Sequence, residues 1–426
     1  MEEPPLHPRN RIIASLRSFL SPDIVRTLIY GKTTLVSQGL ALVTVSVIIR
    51  FLGNENFGRY QYAVGWVGTA LLVGNLGTDA ISFREFSLPL RHACGALPRI
   101  LLIRLAGICI SLAVMWALIG MGVIRLSKGL FLAVAAAAVC ESLLRVGTWW
   151  HRARHLAWSD FWMTNARAAV ILLLVCLIVP RWPNAYGIAL AYGIGAFLIF
   201  GSLLVQWHRI LRVGWRIGFK WRTLLSPGFF YLDTAGNLIG AIPVLLLGHH
   251  GLFSELGRFS VYTKYLFPFS LVATLYVQSL QPSLVQAFSR GKPLEPMIRR
   301  GAKLILGAGG LGVVGSLTAG AFLVGFLGHQ RPLDLPLLSV LAIFPVIVGL
   351  AALIDGTLKA TRHEHLLVVS RTVGVSASFF ASLLLWRLGA IGAVVAISAA
   401  FILESACGAL LASRTLSRKS NPLAVG

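Results

Sequence analysis

From residue 30 onward the chain alternates long apolar stretches with short polar clusters rich in arginine, glycine and asparagine. A helix rises about 1.5 Å per residue, so roughly twenty apolar residues cross the hydrocarbon core of a bilayer. Stretches of that length predict twelve membrane spans, at 30–51, 60–82, 99–122, 127–148, 160–180, 185–206, 224–248, 257–280, 303–327, 336–358, 366–386 and 390–412. The more polar segment 11–28 predicts a short interfacial helix leading into the first span. The pattern therefore predicts an all-α polytopic membrane protein. The beginning of the chain, with Glu2, Glu3, Arg9 and Arg11, lacks the basic start, apolar stretch and small-residue site of a cleaved signal peptide.

Composition narrows the function classes. Of 426 residues 56% are hydrophobic and 12% charged, against about 25% charged in soluble proteins. That leaves too little polar surface to solvate a globule, which argues against a soluble enzyme. Basic residues outnumber acids 38 to 15. In a soluble chain this excess would suggest nucleic acid; between membrane spans it is the bias of cytoplasmic loops, and no nucleic-acid partner is expected. With the N-terminus inside, 25 Lys and Arg residues fall in cytoplasmic segments and 8 on outer flanks. An even number of spans with both termini cytoplasmic follows. The five cysteines are scattered without a CxxC pair, which indicates neither a disulfide framework nor a zinc site.

The chain also repeats itself. Leu52-Gly53 followed by Gly58-Arg59-Tyr60 returns as Leu247-Gly248 followed by Gly257-Arg258-Phe259. Gly147-Thr148 before Arg154-His155 returns as Gly356-Thr357 before Arg362-His363, and Tyr186-Gly187-Ile188-Ala189 as Ile391-Gly392-Ala393-Val394. The offsets of 199, 209 and 205 are nearly constant. They predict two six-span lobes in the same orientation, residues 1–206 and 224–426, joined by a basic cytoplasmic linker, 207–223.

No constellation for catalysis stands out. Gly31-Lys32-Thr33-Thr34 resembles the end of a phosphate-binding loop, but Arg26 stands where that loop needs its first glycine, and no strand precedes it. His363-Glu364-His365 lacks further metal ligands and reads as a solvated loop. The informative residues are ions inside the predicted spans: Lys32, Arg104, Arg167, Lys264 and Arg371. A charge at the bilayer centre costs at least about 2.5 kcal/mol, so such groups face a cavity or a partner. Lys264 and Arg167 lie roughly 10 Å deep; Lys32, Arg104 and Arg371 lie nearer the cytoplasmic ends, where long side chains reach water. Glu141 and Asp355 stand four residues before Arg145 and Lys359, a spacing that predicts a pair along each helix. Asp233 has no such partner and is the candidate for H+ or Na+ coupling, or the counter-ion of a cavity base. The remaining charge is cationic, which suits an anionic substrate.

The run Arg50-Phe51-Leu52-Gly53-Asn54-Glu55-Asn56-Phe57-Gly58-Arg59-Tyr60, followed by Asn75-Leu76-Gly77-Thr78-Asp79-Ala80, resembles the R-x-LG-x-x-x-FG-x-Y … lGl-x-x-a pattern of bacterial polysaccharide flippases. Leu256-Gly257-Arg258-Phe259-Ser260, Lys264 and Leu280-Gln281-Pro282-Ser283 are similar to the family's run across its eighth span. The superfamily also holds multidrug/cation antiporters and flippases of the lipid-linked peptidoglycan precursor, the last usually with two further spans. The resemblance implies two six-helix lobes in a V around a central cationic cavity. It also implies a polyprenyl-pyrophosphate-linked oligosaccharide as cargo, bacterial plasma membrane as location, and polysaccharide polymerase and glycosyltransferases as partners. The predicted head-group contacts are Lys264 and Arg167, with Lys32, Arg104 and Arg371 toward the mouth. No cofactor beyond a coupling ion is expected. An ion-coupled small-molecule exporter is the first alternative. A membrane-embedded glycosyltransferase or polymerase is the second, although Glu55 and Glu255 are poor catalytic acids in such short loops. A plain anchor would have no reason to bury Lys264 or Asp233.

Overall fold

The structure, a computed structural model, describes residues 22–154, 156–215, 227–270, 277, 280, 284, 287–288, 294–330, 332–361 and 363–419; residues 22–31, 80, 83–84, 227–235, 364 and 414–419 are described by their backbone. Of the predicted interfacial helix 11–28, residues 22–28 open α1 and 11–21 lie outside the described residues; of the linker 207–223, residues 207–214 continue α6 and 216–223 lie outside, as does most of the latter part of the eighth span. Regular structure among the described residues is helical throughout: α1 (Pro22–Gly74), α2 (Thr78–Ser87), α3 (Leu90–Gly120), α4 (Lys128–Ala153), α5 (Ala157–Ile178), α6 (Ala185–Gly214), α7 (Pro227–His249) and α8 (Phe253–Leu266). After the gap come α9 (Glu295–Gly315), a π turn (Ser316–Gly320), α10 (Ala321–Phe326), α11 (Leu335–Ala342), α12 (Phe344–Ala360), α13 (Glu364–Leu385) and α14 (Gly389–Lys419). Eight helical stretches are long and apolar enough to cross a membrane by length and composition. The chain folds as an all-α polytopic membrane protein.

Two of those stretches, Lys32–Gly74 and His365–Ser413, are 43 and 49 residues long, about twice what a bilayer needs. Each contains a reversal at a glycine in the left-handed region, Gly53 (φ 68°) and Gly389 (φ 60°). Contacts fix the direction of the arms. Ser46 meets Tyr265 and a β-carbon at Gly257 would meet Asn54, so the first arm of α1 runs antiparallel to α8. Tyr62 lies against Gly248, and Gly65 against Val244 and Leu245, so the second arm runs antiparallel to α7. With α7 and α8 themselves joined by a short turn, the two arms of α1 must be opposed. In the same way Gly374 meets Glu404, and Ser370 meets Gly408, which makes α13 and α14 a hairpin.

The second arm of α1 ends where Leu76 (φ 51°) and Gly77 (φ 70°) break the helix before α2. The predicted span 60–82 thus contains an unwound turn near its end. Glycine makes the neighbouring packing feasible: a β-carbon at Gly74 would stand 2.8 Å from the carbonyl oxygen of Gly107, so α3 crosses the break backbone to backbone. Within the first half of the chain α4 and α6 run parallel, with Ala137 beside Gly193. Within the second half α12 and α14 do the same, with Ile354 beside Gly408 and Phe344 against Phe401.

Candidate functional site

Charge placed inside an apolar bundle must be paired, solvated or neutral, and the predicted cations divide on that ground. Arg104, on α3, is wholly buried. Its Nη1 donates to Asp79 Oδ1 at 2.5 Å and Thr78 Oγ1 at 3.2 Å, and its Nε donates to Ser142 Oγ at 2.8 Å. Ser142 in turn donates to Asn75 Oδ1 at 2.8 Å, and Trp149 Nε1 donates to Asp79 at 3.1 Å. Asn75, Thr78 and Asp79 flank the break after Gly74. Arg104 therefore does not reach a cavity mouth, contrary to the sequence expectation; it fastens the start of α2 to α3 and α4.

The acids Glu141 and Asp355 do not pair along their own helices. Glu141, on α4, forms its ion pair with Arg167 of α5. Asp355, on α12, pairs with Arg371 of α13 at 2.7 Å. Arg145 and Lys359, the expected partners, are exposed. An exposed i,i+4 pair competes with water and is worth little, whereas an enclosed guanidinium without a counter-charge is costly, so the acids go to the less exposed arginines. The first pair is partly accessible, 30% and 34% exposed, and stands beside Tyr192 of α6 and Tyr60 of α1, whose rings lie 5.9 Å apart. The second is more enclosed and has a third member: Glu404 of α14, 8% exposed, lies 3.7 Å from Arg371 Nε. Glu404 was not singled out from the sequence, although an acid inside a predicted span is itself a signal.

Lys264 differs from all of these. It is exposed, on α8. No hydrogen bond or ion pair engages it among the described residues. The next residue, Tyr265, is buried and its hydroxyl joins Ser46 Oγ at 2.5 Å and the Leu42 carbonyl at 3.1 Å, so Lys264 stands at the seam of α8 and α1. Lys32, in the first arm of α1, is exposed. Asp233 lies on α7, with its side chain outside the described residues. The structure brings together Arg167 with Glu141 and Arg371 with Asp355; Lys264 and Lys32 belong to neither pair.

This arrangement of broken, glycine-packed helices defines a fold class. It is similar to the fold of several solved membrane transporters. The chain is similar to the lipid II flippase MurJ in an inward closed conformation, at 13% identity and a TM-score of 0.69 over 91% of this chain and 87% of that one. It is similar to the MATE multidrug transporter DinF-BH, at 15% identity and a TM-score of 0.62 over 94% and 96%. An inward-facing multidrug resistance MATE family transporter aligns at 12% identity and a TM-score of 0.60 over 91% and 96%. No protein-family model and no curated protein matches the chain. At these identities the likeness is one of fold.

Proposed function

We propose that the protein flips a lipid-linked oligosaccharide, or a related polysaccharide precursor on a polyprenyl-pyrophosphate carrier, across a bacterial plasma membrane by alternating access. The observation that carries this reading is Lys264: an exposed cation inside a predicted span, without a partner among the described residues, next to the contact of Tyr265 with Ser46 that joins helices of the two halves. A pyrophosphate-sugar head group cannot enter hydrocarbon without replacement partners for its charge and hydroxyls. An unpaired ammonium supplies one and can let go again, because its stem is flexible and its grip is not bidentate. The lipid tail stays in the bilayer. The halves, residues 1–206 and 224–426, act as two lobes that rock about the site, with both termini and the 207–223 linker on the cytoplasmic side.

Arg167 serves as a second contact that the cargo must win from Glu141, and Lys32 as a mouth residue. Coupling to H+ or Na+ falls to Asp233 from the sequence, or to Glu404, since two carboxylates share the single guanidinium of Arg371. That carboxylate excess also favours the second reading, an ion-coupled small-molecule exporter. Pathway sugar transferases and a polymerase are the expected partners of the first reading.

Complementation of a flippase-deficient strain tests the proposal. Lys264→Ala is expected to abolish export at normal membrane levels, and Lys264→Arg to retain part of it. Full export by a normally accumulated Lys264→Ala protein would remove Lys264 from the mechanism.

A further inference from the structure

The two halves are closed against each other at one end of the bundle, and two glycines from corresponding places in the repeat make that closure fit. Gly58, early in the second arm of α1, lies so near α8 that a β-carbon there would be driven into the carbonyl of Phe253. Gly257, on α8, lies so near α1 that its β-carbon would be driven into the carbonyl of Asn54. The positions are 199 residues apart, the offset of the repeat itself. Each glycine thus accepts the backbone at the start of the helix that carries the other.

The surroundings complete a fitted joint. Asn54 and Gln330 exchange reciprocal amide bonds, at 3.0 and 2.9 Å, across 276 residues of chain. Arg59 lies over the ring of Phe253 at 5.5 Å, and Tyr62 packs edge-on to the same ring. Tyr62 also fills the space that Gly248 leaves open. Further along α8, Tyr265 bonds to Ser46 and Leu42, one residue from Lys264. Gly74 and Gly107 also meet backbone to backbone, but within the first half of the chain; Gly65 crosses the seam and meets only the side chains of Val244 and Leu245.

We propose that Gly58 and Gly257 form a clasp that sets the balance between the closed and open states of this end, which is the outer end in the orientation proposed above. Both backbones must approach to within glycine distance for the lobes to meet, so a methyl group at either position favours the open state. A rigid-body opening relieves the clash by parting the clasp, the amide pair, the aromatic cluster and the apolar seam beside them, where Leu52 and Phe57 belong to the same buried cluster as Leu256 and Phe259. Tyr265 joins the clasp helix to the cargo residue, so a head group drawn to Lys264 bears on the same joint. The inference rests on alternating access and not on the nature of the cargo.

The test uses the full chain with its five cysteines replaced by alanine, a protease site placed between residues 215 and 227, and Asn54→Cys with Gln330→Cys. A short bifunctional thiol reagent should hold the two halves together after cleavage. Gly58→Ala or Gly257→Ala should shift the closed-to-open ratio about fivefold or more toward open, the effect expected of an overpacked contact. Gly68→Ala, where a β-carbon meets nothing within 4 Å, should leave cross-linking unchanged. In parallel, a single Lys264→Cys should react faster with an impermeant thiol reagent applied at the outer face of the Gly58→Ala protein. Unchanged cross-linking in both variants overturns the proposal. So does diminished cross-linking without faster labelling at position 264, and so does failure of both variants to accumulate when Gly68→Ala does, since opening is meant to relieve the strain. None of these readouts requires export, so failure of the clasp and failure of the flippase reading are separately visible.

Discussion

Arg104 and Lys264 carry the same charge inside the same bundle and meet opposite fates. The guanidinium has Asp79, Thr78 and Ser142 within reach and no exposure; the ammonium has none of these and stays accessible. Both were legible as intramembrane cations, because the price of a charge in hydrocarbon is independent of the fold. Which one is structural was not legible, since the acid that decides it, Asp79, approaches from another helix across a backbone break. Removing one partner of a buried pair costs about 3–5 kcal/mol. Arg104→Ala should therefore lower the thermal unfolding temperature in detergent sharply and reduce membrane accumulation, and Arg104→Lys should recover part of it by keeping the charge but not the fork. Arg167 admits a cleaner separation of stability from function. Arg167→Leu alone should destabilise by stranding Glu141, whereas Glu141→Leu with Arg167→Leu should regain the parent's melting temperature. If the guanidinium also grips cargo, export stays impaired in the stable double variant; restored export would assign the pair to structure alone.

At the scale of elements, hydropathy located the helices because the bilayer imposes a length that any span must meet. Pairing partners were less visible. The i,i+4 spacing of Glu141 with Arg145 and of Asp355 with Lys359 is real on each helix surface, yet Arg145 and Lys359 are exposed and each acid turns to its neighbour helix. Sequence spacing describes one helix; the dielectric between two helices decides the pair. The break after Gly74 was hidden for a related reason, since Leu76 is an apolar residue in a left-handed conformation and nothing in its side chain announces it. Its sequence marker is Gly77, and its structural support is the close crossing of Gly74 with Gly107. A methyl group there acts as overpacking, which costs about 1–3 kcal/mol. Gly107→Ala should lower the melting temperature of the purified protein, while Gly120→Ala, with open space around it, should not.

For the molecule as a whole, some features occur once in each half of the chain: the parallel crossing of α4 with α6 and of α12 with α14, and the acid–arginine pairs on α4–α5 and α12–α13. The two halves are not equivalent in charge, because Glu404 adds an acid beside Arg371 and Lys264 stands on α8 without a partner among the described residues. In the proposed reading the lone cation at the seam meets an anionic head group, and the second carboxylate beside Arg371 is open to ion coupling on either reading. The fold alone serves lipid flippases and multidrug transporters alike, so the cargo must be measured. Purified protein in sealed vesicles, loaded with a polyprenyl-pyrophosphate-linked oligosaccharide in one leaflet, allows the head group appearing in the other leaflet to be followed with an impermeant glycan-modifying enzyme. The account predicts transfer by the parent chain, loss of transfer in Lys264→Ala, and no uptake of a lipophilic cationic dye. Transport of the dye with no movement of the lipid-linked oligosaccharide, or undiminished transfer by Lys264→Ala, would contradict it.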